Sequence, residues 1–530
     1  MTPDREPIGY FDGMAILIGP GDTTSTQEER ETAFTNAVVC FTLDSICLLV
    51  SALMSARMAD YHAFAARVRE VGGDPRINFR PYMLRRLLAR AISERQLPDQ
   101  ATKVIGIEEL FQADLAVANL VDQSDAERAG ERNAGLVVAR ISQAQMHDLV
   151  PPAYFFREAW LAIRTAEEAE RRGVKLDAHY QRETGFSFRE SLFLSFAFVA
   201  ANLNAPEAIN EGEPDLERSF GFNSEQVEHF KALRGLTYAE FQEQTKHPAV
   251  RFEDYALYSL SPTVNWPLLH LDAGGTALPI PSDLLDRPTR SLFFDASSVL
   301  TSSDRDRLQS AQGFVFERFV GDCLRTMSSA GDVHDVDDYR APGDPGCDFI
   351  CSTPSGPVLV EAKSGRFKLR AELLRSPDAL KDELAKDGGL ADAVLQLVAT
   401  LGDIRAGNTP ISRGDRAVGF IVVAHDYVSL NERTMREMLD NVVRERLGRP
   451  APILYQIVNG YGFDQLVRAE KAGRLRLAEF LLAKSLSTRR SAMDFHLTPE
   501  LDSDQLPAHP LDHQFNEAFG ALVGGFHLTP

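Results

Sequence analysis

PGCDFICSTPSGPVLVEAKSG, residues 345–365, carries two apolar runs, CDFICS and PVLVEAKSG, separated by the turn-forming STPSGP. Both runs read as β-strands joined by a hairpin turn of Pro, Ser and Gly. Side chains alternate between the two faces of a strand, so Glu361 and Lys363 project together while Val360 and Ala362 face the other way. A hairpin of this length brings Asp348, at the head of the first run, beside Glu361. Two carboxylates held close in an apolar sheet repel each other and retain protons unless a cation sits between them. Mg2+ suits that position, because it prefers oxygen ligands, takes one or two carboxylates and leaves its other positions to water and phosphate.

Around this hairpin, strands alternate with helices. A helix is predicted over about 304–328, then strands in DVHDVDDYR, CDFICS and PVLVEAKSG, and a helix over about 370–402. A strand in AVGFIVVAHD, a helix over about 430–447, a strand in PILYQIVN and a helix over about 463–486 complete the order. Such an order predicts an α/β layer domain on a mixed central sheet.

Asp followed by Glu-x-Lys on adjacent strands after a helix is the pattern of the PD-(D/E)xK nucleases, and the segment from about 304 to 460 resembles that superfamily. The resemblance implies a restriction-endonuclease-like fold in which Asp348, Glu361 and the backbone carbonyl of Ala362 hold Mg2+, with Mn2+ as a substitute. It implies that Lys363 orients or deprotonates the attacking water and stabilises the phosphorane charge. It also matches Glu317, in GFVFERFV on the preceding helix, and Gln396, in AVLQLVAT on the following one, to catalytic positions near the metal. The literal Pro-Asp pair is absent: Cys347 precedes Asp348, and the proline stands at 345.

Taken singly, these residues have plainer uses. An isolated Glu-x-Lys is commonly a solvent-facing pair on an edge strand. Glu317 also supplies a polar edge to a helix that is apolar at 315, 316, 319, 320, 323 and 324. Gln396 stays open between a site role and none, and Cys347 and Cys351 read as small buried hydrophobes. The conjunction of Asp348, Glu361, Lys363 and the element order is what points to hydrolysis.

A chain of 530 residues exceeds the size of a single core, so several domains are expected. Residues 1–260 show helix-period stretches such as RPYMLRRLLARAISERQL, PAYFFREAWLAIRTAEEAERRG, FRESLFLSFAFVAANLN and SEQVEHFKALRGLTYAEFQEQ, and predict an all-helical sensor or partner-binding domain. Near Trp266 the pattern changes, and WPLLHLDAGGTALPIP reads as two short strands around an Asp-Ala-Gly-Gly turn. Residues 261–303 are therefore expected to be a short β connector, 304–490 the nuclease domain and 491–530 an acidic irregular tail. NAVVCFTLDSICLLVSALM, residues 36–54, is about the length of a bilayer span, but Asp44 within it favours a buried helix. The N-terminus carries acids where an export signal needs bases, and five cysteines without metal-binding spacing suit a reducing compartment. A cytoplasmic protein with no membrane partner is expected.

A net charge of −20 disfavours nucleic-acid binding if it is spread evenly. It is not, because residues 301–490 hold 27 Lys and Arg against 27 Asp and Glu. Residues 491–530 hold six acids and no Lys or Arg, so most of the excess lies in residues 1–300. Arg366, Lys368, Arg370 and Arg375, directly after Lys363, are predicted to contact phosphates. No P-loop, Ser-His-Asp order or zinc-spaced Cys/His cluster offers a rival chemistry. The expected activity is a Mg-dependent phosphodiesterase, an endonuclease ahead of an exonuclease, acting on DNA ahead of RNA. The acidic helical half predicts a protein partner or self-association, an arrangement that suits an effector of bacterial anti-phage or mobile-element defence. A repair or recombination nuclease and a catalytically idle nuclease fold used for binding are the alternatives, since fold alone does not set the role.

Overall fold

The computed structural model describes residues 10–11, 14–15, 27–74, 78–79, 81–93, 103–117, 153–204, 222–246, 261–297, 299–340, 345–365, 377–411, 417–424, 433–486 and 506–524. The chain divides into two units. One gathers Ile18–Gly130, Asp148–Leu308 and Phe515–Pro530, and the other Met1–Leu17, Glu131–His147 and Gln309–Gln514.

The first unit is built on helices α1 (Gln27–Val38), α2 (Leu43–Ala59), α3 (Tyr61–Glu70), α4 (Pro81–Ser93), α5 (Ala153–Arg171), α6 (Leu176–Thr184), α7 (Phe188–Asn204) and α8 (Ser224–Arg234). The apolar segment 36–54 is broken between α1 and α2, where the Thr42 side chain caps the new helix by accepting from Ser45 N–H. Asp44 has a structural use: it accepts from the Tyr238 hydroxyl at 2.8 Å and from the backbone N–H groups of Asp272 at 3.1 Å and Ala273 at 2.9 Å. Among the described residues, no helix is long and apolar enough to cross a membrane.

Two expectations for this half are corrected. SEQVEHFKALRGLTYAEFQEQ is not one helix: strand β1 (Gly235–Thr237) separates α8 from α9 (Tyr238–Thr245). Gly235 lies so close to the Lys231 carbonyl and the His270 ring that a Cβ there would stand 2.6 Å and 2.5 Å from them, and Thr237 with Glu240 forms a capping box that starts α9. β1 pairs in parallel with β2 (Leu268–His270), which pairs antiparallel with β3 (Thr276–Ala277), so this half carries a small mixed sheet. The stretch 261–303, read as a connector, falls within this unit: Leu269, Leu271, Ala277 and Ile280 join α2 and α4 in one apolar core. Short helices α10 (Pro281–Asp286) and α11 (Leu292–Ser297) follow.

Helix α12 (Ser302–Thr326) leads into the second unit. Its sheet contains β4 (Asp332–Asp335), β5 (Phe349–Thr353), β6 (Gly356–Lys363), β7 (Val418–Val423) and β8 (Leu454–Asn459), in spatial order β8-β7-β6-β5-β4. β4, β5 and β6 run antiparallel in sequence, whereas β6, β7 and β8 are parallel, so the sheet is mixed. Leu359, Ile421, Tyr455 and Ile457 turn one face toward α13 (Pro377–Ala385), α14 (Leu390–Ala406) and α15 (Arg433–Leu447). On the other face Phe420 meets Phe463 of α16 (Gly460–Lys471), which meets Phe319 of α12. Both faces are covered, and parallel strands so covered read as near-continuous apolar runs.

Three further expectations are corrected here. Of the helix expected over 370–402, residues 370–376 lie outside the described residues, and the rest is two helices, α13 and α14, because Gly388 takes φ +69° between them, a left-handed conformation that ends a helix. The helix expected over 463–486 is likewise divided at Gly473 into α16 and α17 (Leu477–Leu486). The tail contains α18 (Asp512–Gly524), whose Phe515 lies 5.5 Å from the Trp160 ring and whose Phe519 lies 5.0 Å from the Phe156 ring, between ring centres. Ahead of that helix, Pro507 and Leu506 carbonyls accept from Arg468 of α16 at 2.6 and 3.0 Å.

Candidate active site

β6 is buried from Pro357 to Glu361, so Glu361 lies in the core and only Lys363 falls where the strand leaves it. Phe349 pairs with Val360, and the Asp348 N–H donates to the Val360 carbonyl at 3.0 Å, so Asp348 stands across from Glu361 on the same face of the sheet. The Ala362 N–H donates to Asp348 Oδ2 at 2.6 Å and holds that carboxylate at the strand end. Lys363 Nζ is ion-paired with Glu361 and donates to Gln396 Oε1 at 2.8 Å. Gln396 belongs to α14, the helix that covers this face.

Glu317 comes from α12 on the other side. Close approach brings that helix to the site, since a Cβ on Gly321 would lie 2.7 Å from the Phe349 ring and one on Gly313 would lie 3.3 Å from Ser364 Oγ. From Gly321 to Gly313 the helix therefore runs from the start of β5 to beyond the end of β6. Glu317, between them, is close enough to feel the charges of Asp348 and Lys363 and to act on Glu361. The structure thus brings Asp348, Glu361, Lys363, Gln396 and Glu317 to one end of the sheet, with Ala362 between the two charged strand residues. Arg366, Lys368, Arg370 and Arg375 lie outside the described residues.

The electrostatics are those of an acidic cluster with too little positive charge. Burial, then the charge of Glu361, holds Asp348 well above the usual carboxylate range, against the Ala362 N–H and Lys363. Burial pushes Glu361 up to about 7, although Lys363 opposes it. Glu317 is also pushed up to about 7, by burial first and then by Asp348, Asp337 and Asp335. Asp335 and Asp337 are the contributors that the residue pattern did not single out. The acid-rich DVHDVDD is visible, but its closeness to Glu317 depends on how β4 and α12 pack.

Glu361 is 1% exposed, and its Oε2 is buried with no hydrogen-bond partner, while its other carboxylate oxygen meets Lys363. An orphaned carboxylate oxygen facing a second carboxylate suits a hard cation. Among the described residues no group of three or more His, Cys, Asp or Glu side chains forms a ready metal cage. The oxygen donors the site could offer a cation are the Asp348 and Glu361 carboxylates and the Ala362 carbonyl, within the one or two carboxylates that Mg2+ commonly takes. Cys347 and Cys351 are free, buried thiols, and burial pushes Cys351 up to about 12, so neither is poised as a thiolate ligand. Comparison of the chain with models of known protein families, with curated proteins and with solved structures finds no match in any of the three.

Proposed function

We propose that this site hydrolyses phosphodiester bonds of nucleic acid, DNA ahead of RNA, in a restriction-endonuclease-like domain that uses Mg2+. The observation that carries the reading is the buried Glu361, one oxygen on Lys363 and the other unpartnered, across from Asp348. One lysine cannot balance three neighbouring acids, and an unbalanced buried charge is costly. Asp348, Glu361 and the Ala362 carbonyl would hold the ion. When bound, it supplies positive charge against the phosphate.

The rest of the chemistry falls to the chain's own groups. The Lys363 ammonium, held by Glu361 and Gln396, faces the negative charge that builds on the phosphate oxygens and orients the attacking water. Glu317, pushed up to about 7, exchanges protons near neutral pH and so suits the task of taking the water's proton. The helical unit is the seat proposed for a protein partner, as in an effector of bacterial defence.

The test is a cleavage assay of the purified chain on plasmid, linear and single-stranded DNA and on RNA, with Mg2+, Mn2+ or EDTA. Metal-dependent cleavage that is lost in Asp348→Ala supports the chemistry. Absence of cleavage on every substrate with both metals overturns it. Strong unaided cleavage of ordinary duplex keeps the chemistry and removes the effector role, which requires a silent resting state.

A further inference from the structure

We propose that Thr400 and Asp403 of α14 are positioning residues that set where the Asp348 carboxylate stands, and so govern metal affinity at the hydrolytic site. This rests on the nuclease reading and deepens it. β5 begins only at Phe349, so Asp348 and the residues ahead of it lie outside the strand. That lead-in is instead fixed by α14, at two successive residues. The Cys347 N–H donates to Thr400 Oγ1 at 3.0 Å, and Thr400 is fully buried. Gly346 lies so close to Arg340 that a Cβ there would stand 2.4 Å from a terminal guanidinium nitrogen, and Arg340 is ion-paired with Asp403.

Gln396, Thr400 and Asp403 are spaced four and three apart, so they lie along one face of α14. One helix therefore holds Lys363 through Gln396 and the lead-in to Asp348 through the other two. A threonine inside a helix commonly turns its hydroxyl to the carbonyl one turn back, whereas the Thr400 oxygen accepts from a separate segment. The Ala362 N–H fixes the Asp348 carboxylate from the β6 side, and α14 fixes the backbone that carries it. Removing a group that orients a metal ligand without touching the ion weakens metal affinity by roughly 10- to 100-fold.

The experiment uses the full chain with three substitutions. Thr400→Val keeps the shape and loses the acceptor, Thr400→Ser keeps the acceptor, and Asp403→Asn removes the charge that holds Arg340. Mn2+ binding is read without substrate, from loss of the free-ion signal in electron paramagnetic resonance. Cleavage is read against Mn2+ concentration, and stability by urea unfolding in EDTA. The expected result is Mn2+ affinity roughly 10- to 100-fold weaker in Thr400→Val, a smaller loss in Asp403→Asn, and affinity retained in Thr400→Ser. Cleavage by Thr400→Val should recover as Mn2+ is raised, since Lys363 and Gln396 are untouched. A folded Thr400→Val chain that loses urea stability but binds Mn2+ like the parent overturns the positioning role. So does an equal loss of affinity in Thr400→Ser, which keeps the hydrogen bond. If Thr400→Val does not fold, unchanged Mn2+ affinity in Asp403→Asn overturns it. A parent that binds Mn2+ yet cleaves no diester overturns the nuclease reading alone, and a parent that binds no Mn2+ overturns both.

Discussion

At the scale of single residues, the proposed chemistry turns on how three acids share one ammonium. Lys363→Ala removes the ammonium but leaves Asp348 and Glu361, so Mg2+ and nucleic acid should still bind while cleavage falls by about 2–4 kcal/mol of barrier, roughly 30- to 1000-fold. Gln396→Ala keeps the charge and loses only its direction, so a smaller loss, roughly tenfold and in kcat, is expected. Equal losses in the two variants would show that Gln396 does more than position the lysine. The pH dependence follows from Glu361 and Glu317, both pushed up to about 7. Mg2+ requires Glu361 ionised and taking the water's proton requires Glu317 ionised, so metal affinity and cleavage should rise as pH increases through about 7. Stability without metal runs the other way. A carboxyl raised from 4.5 to about 7 contributes stability that is full below 4.5 and is lost as pH rises toward 7, because the unfolded chain ionises first. Urea unfolding in EDTA should show that decline, and Glu361→Gln should flatten it; an unchanged slope would mean that Glu361 titrates normally. Asp348, Glu361 and Lys363 were legible because strand alternation and a short hairpin are local rules. Glu317 and Gln396 came only through resemblance, and Asp335 and Asp337 depend on packing that no local rule reaches.

At the scale of elements, order survived better than boundaries. The strands at DVHDVDDYR, CDFICS, PVLVEAKSG, AVGFIVVAHD and PILYQIVN all have counterparts in β4 to β8; the last four are apolar runs too short for a helix and flanked by turn residues. Helix ends were misplaced wherever a 3.6-residue period continued across a stop. The Gly388-Gly389 pair was readable as such a stop, and so was Thr237-Tyr-Ala-Glu240 as a capping box, yet the apolar period on either side concealed both. Gly388→Ala tests the first of these. The residue holds φ +69° and nothing lies within 4 Å of a Cβ added there, so the cost is backbone strain alone, about 1–2 kcal/mol in urea unfolding. A neutral result would mean that the turn relaxes to negative φ without disturbing α13 or α14.

At the scale of the whole molecule, the C-terminal forty residues were least legible, because six acids and no Lys or Arg look like a solvated tail. The signal that they fold is scattered: among the described residues, the apolar Leu506, Leu511, Phe515 and Leu522 are buried. Their partners are remote in sequence. Arg468 and Lys471 of α16 donate to the carbonyls of residues 506–508, and His509 stacks on Phe319 with ring centres 6.2 Å apart. Phe515 and Phe519 instead pack on Trp160, Phe156 and Phe196 of the helical unit. Two truncations of the full chain separate these roles. Ending the chain after residue 511 uncovers Trp160 and Phe156, and loss of the burial of Phe515 alone should cost about 2–3 kcal/mol. Amide exchange should then quicken in α5 and α7. Ending it after residue 490 removes in addition Leu506, His509 and Leu511, so exchange should also quicken in α16 and α12, and metal-dependent cleavage should fall only with this second cut. If the first cut already abolished cleavage while α16 kept its protection, α18 would have a role in the reaction that its packing on α5 and α7 does not provide. If neither cut changed exchange anywhere, the tail would be dispensable, as its composition alone implies.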